Sequence, residues 1–180
     1  VSPSPGQIPQ FPAVLATAFR AAPLSPLSLS LTMFSRGIAR RHPALFRRLG
    51  EYSHTRFVLD PTDLPFVIVL EPNGGAPRVT LMRGPGEGAA RIAGPLAALL
   101  GLVHGAYDGD ALFFSRDLVV EGDTSAALAL RNAIDDSELD LSEEITRYCG
   151  PMKGPLHKFF MRIEHYSGVS LTRAQEGLAW

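Results

Sequence analysis

An α+β domain is predicted, because the hydrophobic period of the chain changes along its length. Short alternating runs separated by Gly- and Pro-rich turns begin near residue 55, and apolar residues at helical spacing follow from Pro95. A first stretch of about fifty residues has helical periodicity and a charge of its own. The chain has 180 residues, of which 46% are hydrophobic and 19% charged, enough for a real core and unlike a disordered segment.

In the first stretch, residues 1–10 read as a loose arm and Phe11–Ala21 as a short helix. Two prolines at Ala22–Pro26 break it. Pro26 then opens a helix through Leu27, Leu31, Phe34 and Ile38, and Pro43 opens another through Leu45, Phe46 and Leu49. Residues 1–50 hold six arginines and no acid, so they carry +6 against −7 for the remainder. Arg36, Arg40, Arg41, Arg47 and Arg48 form a surface that suits an anionic membrane or an acidic partner. The alternative is the solvated face of a docked helix, and the charge alone leaves both open. No nucleic-acid motif accompanies the arginines, so nucleic acid is not expected as a partner.

Strands are expected at Thr55–Asp60, at Phe66–Glu71 (apolar on both faces, as in a covered central strand), at Arg78–Arg83 and at Ala89–Ala93. Their spacing, with turns at Asn73-Gly74-Gly75 and Gly84-Pro85-Gly86, suggests an antiparallel meander. Pro95 starts a helix with Leu96, Leu99, Leu100, Val103 and Tyr107 along one stripe and Ala97, Gly101 and Gly105 along another. Small residues there allow close packing or a ligand wall. A strand Leu118–Glu121 follows, then Gly122, an Asp123 cap and a helix to about Asp136 with Ala127, Leu130 and Ile134 on one face. Leu139–Tyr148 and an amphipathic helix at Leu156–Tyr166 complete the chain. The organisation expected is a basic helical segment at 1–50, a central domain at 51–139 and a helical extension at 140–180.

Catalytic and metal signatures are sparse. The histidines at 42, 54, 104, 157 and 165 are scattered, and only His104 lies on a helix expected to border a pocket. Asp135, Asp136, Glu138 and Asp140 lack calcium-loop spacing and suit a solvated helix end. Gly84–Gly88 lacks the Lys and Ser/Thr of a phosphate loop. Cys149 stands alone, which excludes an internal disulfide and suits a reduced, cytoplasmic setting. No catalytic residue, metal or cofactor is expected. Surplus apolar faces without such groups favour a pocket for an apolar ligand or contact with a membrane.

The run Asp110–Asp123, with Leu112-Phe113-Phe114-Ser115-Arg116 and Leu118-Val119-Val120-Glu121-Gly122-Asp123, resembles the last strand and turn of the sterol carrier protein type 2 lipid-binding domain. With Thr124 and Asn132-Ala133-Ile134-Asp135 added, it is similar to the members that assist oxygen-independent ubiquinone biosynthesis in bacteria. The resemblance implies a twisted, mainly antiparallel sheet of about five strands with helices packed on one face around an apolar tunnel. By analogy Phe113, Phe114, Leu118 and Val120 line that tunnel. Leu99, Leu100 and Val103 join them from the Pro95 helix, Phe66, Ile68 and Leu81 from the strand phase, and Leu130 and Ile134 from the final helix. The function implied is non-enzymatic binding or presentation of an isoprenoid quinone precursor or phospholipid. It would operate beside the ubiquinone-pathway hydroxylases, in the cytoplasm or peripherally on the inner face of the cytoplasmic membrane. A membrane-attached interaction module with a closed pocket, recruiting biosynthetic enzymes, is the alternative. A lipid-acting enzyme using His104 is a third reading.

Overall fold

The structure is a computed structural model that describes residues 20, 23–104, 118–137 and 141–148 of the chain. The expected helices at Phe11–Ala21 and Leu156–Tyr166 lie outside this set, apart from residue 20, as does the loop bearing Phe113 and Phe114.

Helix α1 (Leu24–Arg41) starts just ahead of Pro26, whose missing amide costs nothing in a first helical turn. Arg40 and Arg41 occupy its last turn, where cations suit the helix dipole. His42 leaves the helical region, and Pro43 opens α2 (Pro43–Arg48). Strands β1 (Phe57–Pro61), β2 (Val67–Glu71) and β3 (Arg78–Met82) follow, then β4 (Ala90–Gly94), α3 (Leu96–His104), β5 (Val119–Gly122), α4 (Thr124–Asp135) and α5 (Leu141–Tyr148).

The five strands form one open sheet in the order β3-β2-β1-β4-β5. The first three are the expected antiparallel meander. The fourth departs from it: β4 does not continue beyond β3 but pairs in parallel with β1, Phe57 opposite Ala90 and Leu59 opposite Ile92. The reason lies in the connection after β3, which is longer than a hairpin turn and crosses the far face of the sheet. Gly86, with φ +66°, lies so close that a Cβ there would be 3.1 Å from Val67 and 3.3 Å from Val58. The crossing covers the small apolar cluster Val58, Val67 and Val69 on that face. The sheet is therefore mixed, with three antiparallel pairings and one parallel.

All the large apolar contacts lie on the opposite face. Phe57, Ala90 and Ile92 from the sheet meet Ala39, Leu45, Phe46 and Leu49 from the N-terminal segment. Leu99 and Leu102 of α3 and Ala126, Ala127, Leu130 and Ala133 of α4 complete this core. Asp63 accepts a hydrogen bond from the Leu96 amide (2.9 Å) and so caps α3 from a neighbouring loop. Asp123 caps α4 as expected, accepting from the amides of Ser125 (2.9 Å) and Ala126 (3.0 Å).

Candidate functional site

Between the helices and the sheet lies a cavity of about 240 Å³. The sheet provides Leu59, Ile68, Leu70 and Val79, with Pro72 beside them. Helix α1 provides Leu31, Phe34, Ser35 and Ile38, and α2 provides Leu45 and Phe46, followed by Leu49. Leu99 and Leu102 of α3 and Leu130 and Ile134 of α4 close the remaining side. Among the described residues, Ser35 is the only polar side chain in this wall. An apolar cavity without convergent polar groups gains nothing by admitting water, so it suits hydrocarbon.

Of the expected tunnel residues, Ile68, Leu99, Leu130 and Ile134 come together in this wall. Phe66 and Leu81 are buried, and Leu118 is buried in the main core, without lining the cavity. Leu100 and Val120 are half-buried outside it, Val120 packing on the core from β5. Val103 and His104 belong to α3, but their side chains, like Phe113 and Phe114, lie outside the described set. Sequence reasoning did not place Leu31, Phe34, Ile38, Leu45 or Phe46 in the wall. Their helical spacing was visible, but nothing in it says that α1 and α2 fold back over the sheet.

Polar bonds at the sheet edge hold α1 there. β3 is an outer strand, so the backbone groups on its open side need partners. Ser28, Thr32 and Arg36, four residues apart on α1, supply them. The Ser28 hydroxyl accepts from the Leu81 amide (2.8 Å). The Thr32 hydroxyl accepts from the Val79 amide (3.0 Å) and donates to the Val79 carbonyl (2.9 Å). Arg36 Nε donates to the Pro77 carbonyl (3.2 Å). Four helical residues rise about 6 Å and two strand residues nearly 7 Å, so helix and edge stay in step over this length.

Helix α5 fastens the other end of α1. Glu144, buried, receives Arg41 through Nε (2.8 Å) and a second guanidinium nitrogen, and contacts His42 Nε2 at 3.2 Å. Burial works to raise the Glu144 pKa, but the hydrogen bonds and charge of Arg41 and His42 outweigh it and hold the carboxyl below its usual range. Tyr148 meets Phe34 edge-on at 5.5 Å between ring centres, and its hydroxyl donates to the Ser30 carbonyl (3.3 Å). Since Phe34 lines the cavity, α5 buttresses the wall from behind.

The arginines of the basic segment divide into two groups. Arg41 pairs with Glu144, and Arg48 with Asp136 (3.3 Å). Arg40 and Arg47 are exposed and make no ion pair among the described residues. Arg36 bonds Pro77 yet remains exposed. Among the described residues no group of His, Cys, Asp or Glu is placed to hold a metal ion, and no helix is long and apolar enough to cross a membrane.

An open five-stranded sheet, helices on one face and an apolar cavity between them together make a lipid-binding type of fold. The SCP-2 sterol transfer family model matches residues 37–135, more than half of the chain, and the chain belongs to that family. Among solved structures it is similar to "UbiJ-SCP2 Ubiquinone synthesis protein", at 18% identity over 65% of this chain and 96% of that one, with a TM-score of 0.52. A crystal structure of sterol carrier protein 2 aligns at 18% identity over 59% of this chain and 94% of that one, with a TM-score of 0.44. Sterol carrier protein 2 from Yarrowia lipolytica, in its apo form, aligns at 12% identity over 67% and 98%, with a TM-score of 0.42. Comparison with curated proteins gives no match. The family match begins inside α1, so Leu31, Phe34 and Ser35 extend the cavity wall beyond the matched region.

Proposed function

We propose that this chain is a non-catalytic accessory protein that binds or presents an isoprenoid quinone intermediate, or a phospholipid, in oxygen-independent ubiquinone biosynthesis. The observation that carries the reading is the cavity beneath α1, whose described lining is apolar but for Ser35. Removing apolar surface from water contributes about 25 cal/mol per Å², so a hydrocarbon tail binds there without a specific polar contact. At about 240 Å³ the cavity is smaller than the roughly 300–1,000 Å³ of pockets that enclose a whole drug-sized ligand. It therefore takes a segment of a long tail and leaves the head group outside, where a partner enzyme could act on it.

The quinone assignment is supported by two likenesses. The Asp110–Asp123 motif with its extension to Asp135 resembles the accessory factor UbiT, and the UbiJ-SCP2 ubiquinone synthesis protein shares the fold. On this reading the partners are the pathway hydroxylases, and the protein works in the cytoplasm at the inner face of the membrane. The basic segment, with Arg36, Arg40, Arg41, Arg47 and Arg48, lies towards that membrane or a partner.

Native mass spectrometry of the freshly purified full chain, followed by solvent extraction, tests the carrier role. The expected result is a bound isoprenoid quinone or phospholipid that is lost in Leu130→Trp, where the indole fills the cavity. A chain that arrives empty and shows no affinity for either lipid class overturns the proposal.

A further inference from the structure

We infer that the Ser35 hydroxyl fixes the register of the bound lipid by donating a hydrogen bond to a carbonyl oxygen on it, that of an acyl ester or of a quinone ring. The inference rests on the carrier reading and names the polar group of the lipid that the cavity wall recognises. Ser35 is half-buried in a wall whose other described side chains are Leu, Ile, Val, Phe and Pro. Its hydroxyl makes no hydrogen bond to a described residue.

The other hydroxyls of α1 are satisfied. Ser28 donates to the Leu24 carbonyl (2.8 Å) while accepting from β3, and Ser30 donates to the Pro26 carbonyl (3.0 Å). Thr32 bonds both backbone groups of Val79. Ser25 is exposed, where water can reach it. A helical serine commonly returns its proton to the carbonyl one turn back, as Ser28 and Ser30 do, but the Leu31 carbonyl does not receive that of Ser35. A hydroxyl unpaired in an apolar surround has lost its hydration without compensation. Alanine would fill the same wall and favour the helix more. A ligand that brings its own oxygen removes the cost of keeping serine there.

The place of Ser35 on α1 gives that bond its effect. At about 100° per residue, Ser35 falls between the row bonded to β3 (Ser28, Thr32, Arg36) and the row facing the cavity (Leu31, Phe34, Ile38). The bonds to β3 fix the rotation of α1 about its axis, so the hydroxyl is held at the cavity margin beside the outer strand. Hydrocarbon slides along the remaining wall with little preference, because its burial depends on area and not on position. One directional bond stops the sliding and sets how far the head group projects towards a partner enzyme. A bare polyprenyl segment carries no oxygen, so the bond falls either to an ester or to a ring carbonyl.

Competition against a fluorescent hydrophobic probe tests it, with the full chain, Ser35→Ala and Ser35→Thr. Two matched pairs of ligands are compared: methyl octanoate against decane, and prenylbenzoquinone against prenylbenzene. The ratio of affinities within a pair, compared between variants, cancels the difference in water solubility. Ser35→Ala should lower the preference for the carbonyl member of at least one pair by about fivefold, the worth of one neutral hydrogen bond, and should bind the hydrocarbon member no less tightly. Ser35→Thr, which keeps the hydroxyl, should retain the preference. Loss in the ester pair identifies an acyl lipid, loss in the quinone pair identifies the ring, and loss in both identifies a wall that reads either carbonyl. Ratios in Ser35→Ala equal to those of the unaltered chain overturn the inference while the carrier reading stands, as does a loss that Ser35→Thr shares. An unaltered chain that takes up neither the fluorescent probe nor any of the four ligands sinks both.

Discussion

The Thr32 hydroxyl closes both hydrogen-bonding positions of Val79, accepting from its amide at 3.0 Å and donating to its carbonyl at 2.9 Å. One buried side chain on α1 thereby does for the outer strand what a further strand would do. Thr32→Val keeps the shape and removes the hydroxyl, leaving both backbone groups of Val79 buried without a partner. The expected loss is about 1–3 kcal/mol in urea unfolding, with Thr32→Ser close to the unaltered chain. Hydrogen exchange at the Val79 amide should quicken in Thr32→Val and not in Thr32→Ser.

Glu144 makes the attachment of α5 sensitive to acid. Its pKa in the folded chain lies below the ordinary value of 4.5, so the unfolded chain binds the proton more readily. The sign follows: the stabilisation is fully present above about pH 4.5 and is lost as pH falls through the folded value. Glu144→Gln should cost about 1–2 kcal/mol at pH 7, the low end for a broken charged pair, because Arg41 is 37% exposed and can be hydrated when left alone. Below pH 4.5 the difference should shrink. Stability curves that stay parallel down to pH 3 would show that Glu144 does not carry this acid dependence.

How much of this was legible in the sequence depends on the range of the interaction. Helix starts were readable because Pro43, Pro95 and Asp123 act on their own turns. Strands were readable where one face is buried, as with Val79 and Leu81 on β3. The pairing of β4 with β1 was not, because it depends on the path of the connection across Val58, Val67 and Val69, a contact between distant residues. The same limit applies to the cavity. Leu31, Phe34 and Ile38 show their common face in sequence, but only the strand order reveals that β3 has a free edge for α1 to occupy. Ser28 and Thr32 look like ordinary polar helix residues until that edge is known.

Neighbouring core positions should differ in how much a truncation costs. Phe57 is fully enclosed, packed between the sheet and the helices. Phe57→Ala should cost about 3–5 kcal/mol, since a rigid surround leaves a new void. Leu99 already borders the cavity, so Leu99→Ala enlarges an existing space and should fall near the low end of the leucine range, about 2–3 kcal/mol. A saturating apolar ligand should restore part of the Leu99→Ala loss and little of the Phe57→Ala loss, readable as the shift in unfolding temperature on adding lipid.

Gly122 joins β5 to α4 at a point where no other residue fits. Its φ of +80° is one that side-chain-bearing residues rarely adopt, and a Cβ there would lie 2.2 Å from the Ala89 carbonyl oxygen. That oxygen cannot retreat freely, because it accepts from the Asp123 amide at 2.8 Å. Asp123 in turn caps α4, whose Leu130 and Ile134 line the cavity. Gly122→Ala should therefore disturb strand pairing, the cap and the cavity wall together. The backbone strain alone is worth about 1–3 kcal/mol, and the clash adds to it. Removing the cap alone by Asp123→Ala should cost about 1 kcal/mol and leave the sheet intact. The comparison is made by urea unfolding alongside amide exchange in β4 and β5. Equal losses in the two variants, with normal exchange in the strands, would show that Gly122 matters only through the cap.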